Sequence, residues 1–160
     1  MAVDLQALMD SQPDPLGLTI EPVQDIETLK TWCHTWGAGM GIPVDSESDI
    51  LDLFSCISLD AHLPLHHYLG RVNGEAVATS SVFYASGVAG IYNVATLPDA
   101  RQRGIGAAIT LAPLRAARAA GLRAAILQAS DMGAPVYRKL GFKKYCDIGI
   151  YLWASDPASV

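Results

Sequence analysis

Arg101-Gln102-Arg103-Gly104-Ile105-Gly106-Ala107 is the stretch whose reading decides the fold. It follows the apolar run Val88 to Thr96 through an irregular Leu97-Pro98-Asp99-Ala100 turn, and it opens into an alanine-rich segment that Gly121 closes. A strand, a turn and a helix from about Gly104 to Ala120 are expected in that order. Two glycines at a helix start let an anion come close to the main chain. The unpaired first-turn amides and the positive end of the helix dipole favour phosphate there. The bland alternative is a glycine-containing turn into a surface helix, so the rest of the chain has to decide.

Downstream, Leu122 to Gln128 reads as another strand. Ser130 or Asp131 then stands where a cap should, ahead of a short helix through Val136, Tyr137 and Leu140 that Gly141 stops; a last strand is expected to end near Trp153. Upstream, Leu65 to Val72 and Glu75 to Ala85 form a hairpin about Asn73-Gly74, two residues that tolerate positive φ. Leu16 to Val23 alternates like a half-buried strand around Leu18 and Ile20. Asp25 caps a helix through Leu29, Trp32, Cys33 and Trp36 that Gly37 and Gly39 are expected to end. A second helix from Ser46 or Ser48 carries Ile50, Leu53, Phe54, Ile57 and Leu59 at helical spacing. Pro113 is the misfit, because a proline inside a helix removes a hydrogen bond and crowds the preceding turn. A kink or a break is expected there. The order predicts an α/β chain with a mixed sheet and helices on both faces.

The anion loop is neither a P-loop, since no G-x-x-x-x-G-K-S/T occurs, nor a good dinucleotide fingerprint, since Ile109 takes the place of the third glycine. It does resemble the acetyl-CoA motif of the GCN5-related N-acetyltransferases, R/Q-x-x-G-x-G/A, which Arg101, Gly104 and Gly106 match. Tyr137-Arg138-Lys139-Leu140-Gly141-Phe142 is similar to that family's Y-x-x-x-G-F segment, at an agreeing separation. Together the two segments span about residues 88–142. The resemblance implies a mostly antiparallel sheet flanked by helices, acetyl-CoA as co-substrate and an amine as acceptor. It also implies site residues. Val94, Ala95 and Thr96 would run beside the pantetheine arm, and the amides of Gln102, Arg103, Gly104, Ile105, Gly106 and Ala107 would cradle the pyrophosphate with help from Arg101 and Arg103. Where family members commonly carry Asn and Ala ahead of the tyrosine, this chain has Ser130 and Gly133. Ser130 remains a cofactor contact by that analogy, and Tyr137 is the acid that serves the leaving thiolate.

Acyl transfer from a thioester to an amine needs a neutral amine, a polarised carbonyl and a protonated leaving group. No general base stands out. His66 and His67 fall on opposite faces of one strand, so at most one of them faces a pocket. Tyr84, Tyr92 and Asn93 are polar positions on central strands, and Thr79, Ser80 and Ser81 bring hydroxyls to a neighbouring strand as acceptor contacts or as ordinary sheet residues. Trp32, Trp36, Met40 and Phe54 read as core or as an acceptor wall. The rival to an enzyme is a module that binds or senses acyl-CoA without turnover.

Length and composition are consistent with this. At 160 residues and 51% hydrophobic content, one packed domain is expected over residues 16–155, with residues 1–15 as a flexible leader and 156–160 as a frayed tail. A net charge of -5 argues against nucleic acid or an anionic membrane as partner. Cys33, Cys56 and Cys146 have neither disulfide nor zinc spacing, which points to a cytoplasmic protein without a metal; no signal peptide or membrane span is evident. The chain also resembles the C-terminal acetyltransferase part of longer bacterial proteins. With about ten residues between Phe142 and Trp153, one strand of the closing hairpin that family members commonly carry is expected to be absent, and the resemblance leaves part of the acceptor site open to supply by a preceding segment or a homodimer partner.

Overall fold

A computed structural model describes residues 1–9, 11, 15–43, 47–58 and 62–151. Its elements, in chain order, are β1 (Ala2–Asp4), β2 (Leu18–Pro22), α1 (Ile26–Met40), α2 (Glu47–Ser58), β3 (Leu65–Val72), β4 (Glu75–Ala85), β5 (Val88–Thr96), α3 (Ile105–Ala119), β6 (Ala124–Leu127) and α4 (Ala134–Lys139). The six strands make one sheet in the order β1-β6-β5-β4-β3-β2. Every neighbouring pair is antiparallel except β5 and β6, which are joined through α3 and therefore run parallel. The expected mixed sheet is what forms.

Alternation along the strands assigns the two faces. Leu69 of β3 packs with Leu29, Trp32 and Cys33 of α1 and Phe54 of α2 on one side. Val82 and Ile91 pack with Leu111, Leu114 and Ala117 of α3 on the other, together with Tyr137 and Leu140. The α1 start follows the sequence: Asp25 accepts from the Thr28 main-chain N–H at 2.8 Å as an N-cap. Its end does not, since Gly37 and Gly39 lie inside the helix and Gly41, at φ 73°, terminates it. Both inner glycines keep helical geometry, and Gly39 lets α1 approach β5, where an added Cβ would sit 2.9 Å from that of Ala95.

Two expectations at the chain ends need correction. Residues 2–8 are not a loose leader: β1 pairs with β6 in the register Ala2↔Ile126 to Asp4↔Ala124, and Leu5 and Leu8 are buried in the core. Their apolar side chains cover one end of α3, a reward that proline-rich flanks conceal. The last strand is not formed among the described residues. Lys143 makes an isolated bridge to Ala2, and 144–151 pair with nothing. Leu152 and Trp153 lie outside the described residues, as do Ser46 and Leu59.

Helix α3 continues through Pro113 without a break. The cost of the proline is the Ile109 carbonyl, which would accept from the N–H of residue 113 in a regular helix. That carbonyl accepts instead from the buried Ser80 hydroxyl of β4, at 2.8 Å. Ser80 is thus a bolt between sheet and helix, not an acceptor contact, which corrects one reading of the Thr79-Ser80-Ser81 run. Ser80→Ala should lower the unfolding free energy by about 1–3 kcal/mol by stranding a buried acceptor. Adding Pro113→Ala should recover part of that loss by restoring an N–H to Ile109; urea unfolding of the two variants and wild type checks both.

Candidate active site

Strands β5 and β6 stay together for four residue pairs only, Val88↔Ala124 to Ile91↔Leu127. Beyond Ile91, β5 runs on to Thr96 with β4 as its only strand partner among the described residues. The β6 side of residues 92–96 therefore opens onto a fork, where main-chain groups are available to a ligand. Val94, Ala95 and Thr96 lie along this open edge. Ser130 follows β6 by three residues and is exposed.

The turn that feeds α3 sits at the end of β5. Gln102 at φ 61° and Gly104 at φ 80° are both left-handed, which folds the chain back into the first turn. The main-chain N–H groups of residues 102–106 make no hydrogen bond among the described residues, whereas Ala107 and Ala108 donate to the Gly104 carbonyl at 3.1 Å. No acidic residue occupies that first turn to compete with an anion. Buried Ile105 anchors the turn to the core. A Cβ on Gly106 would lie 3.6 Å from Thr96 Oγ1, so the helix start rests against the open end of β5. An anion-receptive surface and a strand with free main-chain groups thus meet.

The two arginines are used differently from each other. Arg101 donates through Nε to the Thr96 carbonyl at 3.0 Å and through a terminal nitrogen to the Gly39 carbonyl at 3.1 Å, tying the end of α1 to the end of β5. Arg103 lines a surface groove with Asn73, Glu75 and Asp99 beside the β3–β4 turn.

Tyr137, on α4, is buried, and its ring meets Phe142 edge-on at 6.0 Å between centroids. Burial raises its phenol above the ordinary value of 10.0, so it stays protonated at neutral pH. Ser130 Oγ accepts from the Gly133 N–H at 3.2 Å, closing the turn before α4. A Cβ on Gly133 would lie 2.9 Å from the Tyr137 ring, so the glycine there makes room for the tyrosine.

On the α1/α2 face the sheet carries a polar network. Two residues of β5, Asn93 and Val94, oppose the single residue Ser80 of β4, and Asn93 takes φ 52° in this bulge. Thr79 Oγ1 donates to the Asn93 carbonyl at 2.9 Å, Asn93 Nδ2 donates to Ser81 Oγ at 3.1 Å, and Ser81 Oγ lies 2.7 Å from His67 Nδ1. His67 is buried among Trp32 and Phe54. Burial, with a smaller contribution from neighbouring His66, lowers its pKa from 6.5 to about 4. Trp36 stacks on Trp32 with a buried indole N–H that has no partner among the described residues. His66 lies on the opposite face, its ring 5.4 Å from that of Tyr84. Tyr84 pairs with Ala89 inside the closed part of the sheet, and burial pushes its phenol up to about 12. Of the two readings open to it, Tyr84 is an ordinary sheet residue away from the fork.

A family model described as an acetyltransferase (GNAT) domain matches residues 64–144, half of the chain. The chain belongs to the GNAT family. A GCN5-related N-acetyltransferase structure from Kribbella flavida is 28% identical with a TM-score of 0.66, over 89% of this chain and 52% of that one. This GNAT domain therefore spans about half the length of that relative. A predicted acetyltransferase from Clostridium acetobutylicum, solved with acetyl-CoA, shares the fold at TM-score 0.63 and 21% identity, over 86% and 96% of the two chains. An aminoglycoside acetyltransferase from an uncultured soil metagenomic sample does so at 0.67 and 14%, over 88% and 97%. No curated protein matches the sequence. Among the described residues, no helix is long and apolar enough to cross a membrane.

Sequence reasoning named each member of the network separately but missed the network, because the bulge that joins them is a register effect. The one local signal was Asn93 itself, since asparagine tolerates positive φ better than most residues. The lowered His67 pKa has a thermodynamic consequence. The unfolded chain takes up a proton near pH 6.5 that the folded GNAT domain refuses until about 4, so this contribution to stability is complete above 6.5 and is lost as pH falls between those values. Its full size is about 3 kcal/mol. Denaturant unfolding from pH 7 to 4 should show a steeper loss for wild type than for His67→Phe.

Proposed function

We propose that this GNAT domain is an acetyl-CoA dependent N-acetyltransferase that moves the acetyl group directly to a primary amine of a small molecule, an amino acid or a protein. The observation that carries the reading is the row of unpartnered N–H groups at residues 102–106 beside the open edge of β5. The diphosphate rests on those amides, whereas that of Ala107, expected from the sequence to join them, is already given to the Gly104 carbonyl. The pantetheine arm extends along Val94, Ala95 and Thr96 as a surrogate strand, with Ser130 as a further contact, which brings the thioester toward Asn93 and Tyr137. Arg101 supports this site by holding the end of β5.

The amine nitrogen attacks the thioester carbonyl, the C–S bond breaks, and the departing sulfur receives its proton or hydrogen bond from the Tyr137 phenol. The proton lost by the amine goes to water. A phenol held in its protonated form is suited to this role across the neutral range. Among the described residues Cys33, Cys56 and Cys146 form no disulfide, which suits a cytoplasmic setting. The acceptor site draws on the α1/α2 face, and a homodimer partner is a candidate to complete it.

Tyr137→Phe should lower kcat for thiol release by about 100-fold while leaving the CoA dissociation constant nearly unchanged. A wild-type protein that binds CoA yet releases no thiol with any amine would instead identify an acyl-CoA sensing module. A Cβ at Gly106 meets nothing nearer than Thr96 Oγ1 at 3.6 Å, and Gly106→Asp, with a carboxylate at the helix start, should weaken CoA binding about 10-fold or more by repelling the diphosphate. Calorimetry on the two proteins reads this directly, and unchanged binding would remove the site from residues 102–107.

A further inference from the structure

We infer that Asn93 Oδ1 receives an N–H of the acceptor amine at the fork, and that Ser81 and His67 are positioning residues that hold the Asn93 amide in the orientation this requires. The inference rests on the transferase reading and adds to it a residue that touches the acceptor.

The argument begins with where Asn93 stands. Ile91 is the last residue of β5 paired with β6, so Asn93 sits at the mouth of the fork, half-buried, where a thioester guided along Val94 to Thr96 would end. Its left-handed φ of 52° is uncommon for a residue with a side chain, and such conformations persist where the surroundings enforce them. Here the enforcement is visible at two atoms: the main-chain carbonyl accepts from Thr79, and the side-chain nitrogen donates to Ser81. Among the described residues nothing donates to Oδ1, which leaves it as the amide's unused acceptor. An attacking amine has N–H groups to donate and must turn its lone pair to the thioester carbon. An acceptor at the fork does both.

The orientation of the amide depends on the proton of a neighbouring hydroxyl. Ser81 has one O–H. If Ser81 accepts from Asn93 Nδ2, its own proton is available for His67 Nδ1, which must then be bare. His67 is buried and uncharged at neutral pH, so it meets this condition in the tautomer protonated on Nε2. The opposite tautomer would donate from Nδ1 to Ser81, turn the serine proton toward Asn93, and attract Oδ1 away from the fork. An amide does not pass a proton along this chain, so the network orients the amine and does not conduct its proton. That explains why a histidine so near the fork is enclosed by Trp32 and Phe54 instead of facing solvent as a base.

The test uses wild type, Asn93→Gly, Ser81→Ala and the double variant, each checked by thermal unfolding. Glycine keeps the bulge conformation available while removing the amide. Asn93→Gly should lower kcat/KM for the amine about 10–100-fold with a CoA dissociation constant within about 2-fold of wild type. Ser81→Ala should cost about 10-fold, and the double variant should be no worse than Asn93→Gly alone, because Ser81 acts only through Asn93. Histidine 15N NMR of the wild type should show His67 neutral with Nδ1 unprotonated. Additive losses, an Asn93→Gly enzyme with wild-type kcat/KM, or a protonated Nδ1 would each overturn the inference while leaving the transferase reading intact. A wild type that binds CoA but turns over no amine overturns both.

Discussion

The parting of β5 from β6 is the constraint on which the candidate site depends. Two parallel strands joined by a helical crossover place that helix across one sheet face, with its N-terminus near the end of the first strand. When the strands diverge after Ile91, the unpaired edge of β5 and the unpaired amides at the α3 start come to lie side by side. Neither feature is a binding site alone. A helix start without the open strand offers only a few donors, and an open strand without it offers no charge complement for a diphosphate.

Much of the surrounding structure can be understood as keeping that junction rigid. Ser80 takes up the Ile109 carbonyl that Pro113 leaves without a donor, so the proline fastens α3 to β4 instead of breaking the helix. Arg101 ties the last residue of β5 to the end of α1. Gly39 permits the close approach of α1 to Ala95, and Gly133 permits that of Tyr137 to its own turn. On the other face, Thr79, Ser81 and His67 grip a residue held at positive φ. Hydroxyls that composition alone marks as polar strand residues are distributed between two faces. Ser80 serves the helix on one side, and Thr79 and Ser81 serve the bulge on the other.

The element order from β2 to α4, the hairpin at Asn73-Gly74, the Asp25 cap and the glycine turn into α3 were legible because each is a local matter of periodicity or turn chemistry. The short-range signals failed where a local preference was outweighed by burial. Gly37 and Gly39 look like helix stops, yet the packing of α1 on the sheet carries the helix to Gly41. Residues 2–8 look like a leader because Pro13 and Pro15 follow them, yet Leu5 and Leu8 find a core to enter and β1 finds an edge to pair with. The last strand was expected after Gly141, but no partner strand meets residues 144–151 among the described residues.

By itself, then, the amino-acid order determined the fold class and the place of the anion-receptive turn, since glycine at positive φ and free first-turn amides are properties of a few consecutive residues. Tertiary structure alone decided which polar side chains meet. The face on which His67, Ser80, Ser81 and Asn93 lie depends on strand register and on one bulge, and a shift of a single residue in pairing exchanges the two faces. Register is settled by packing across the whole sheet, and no short stretch of sequence contains it.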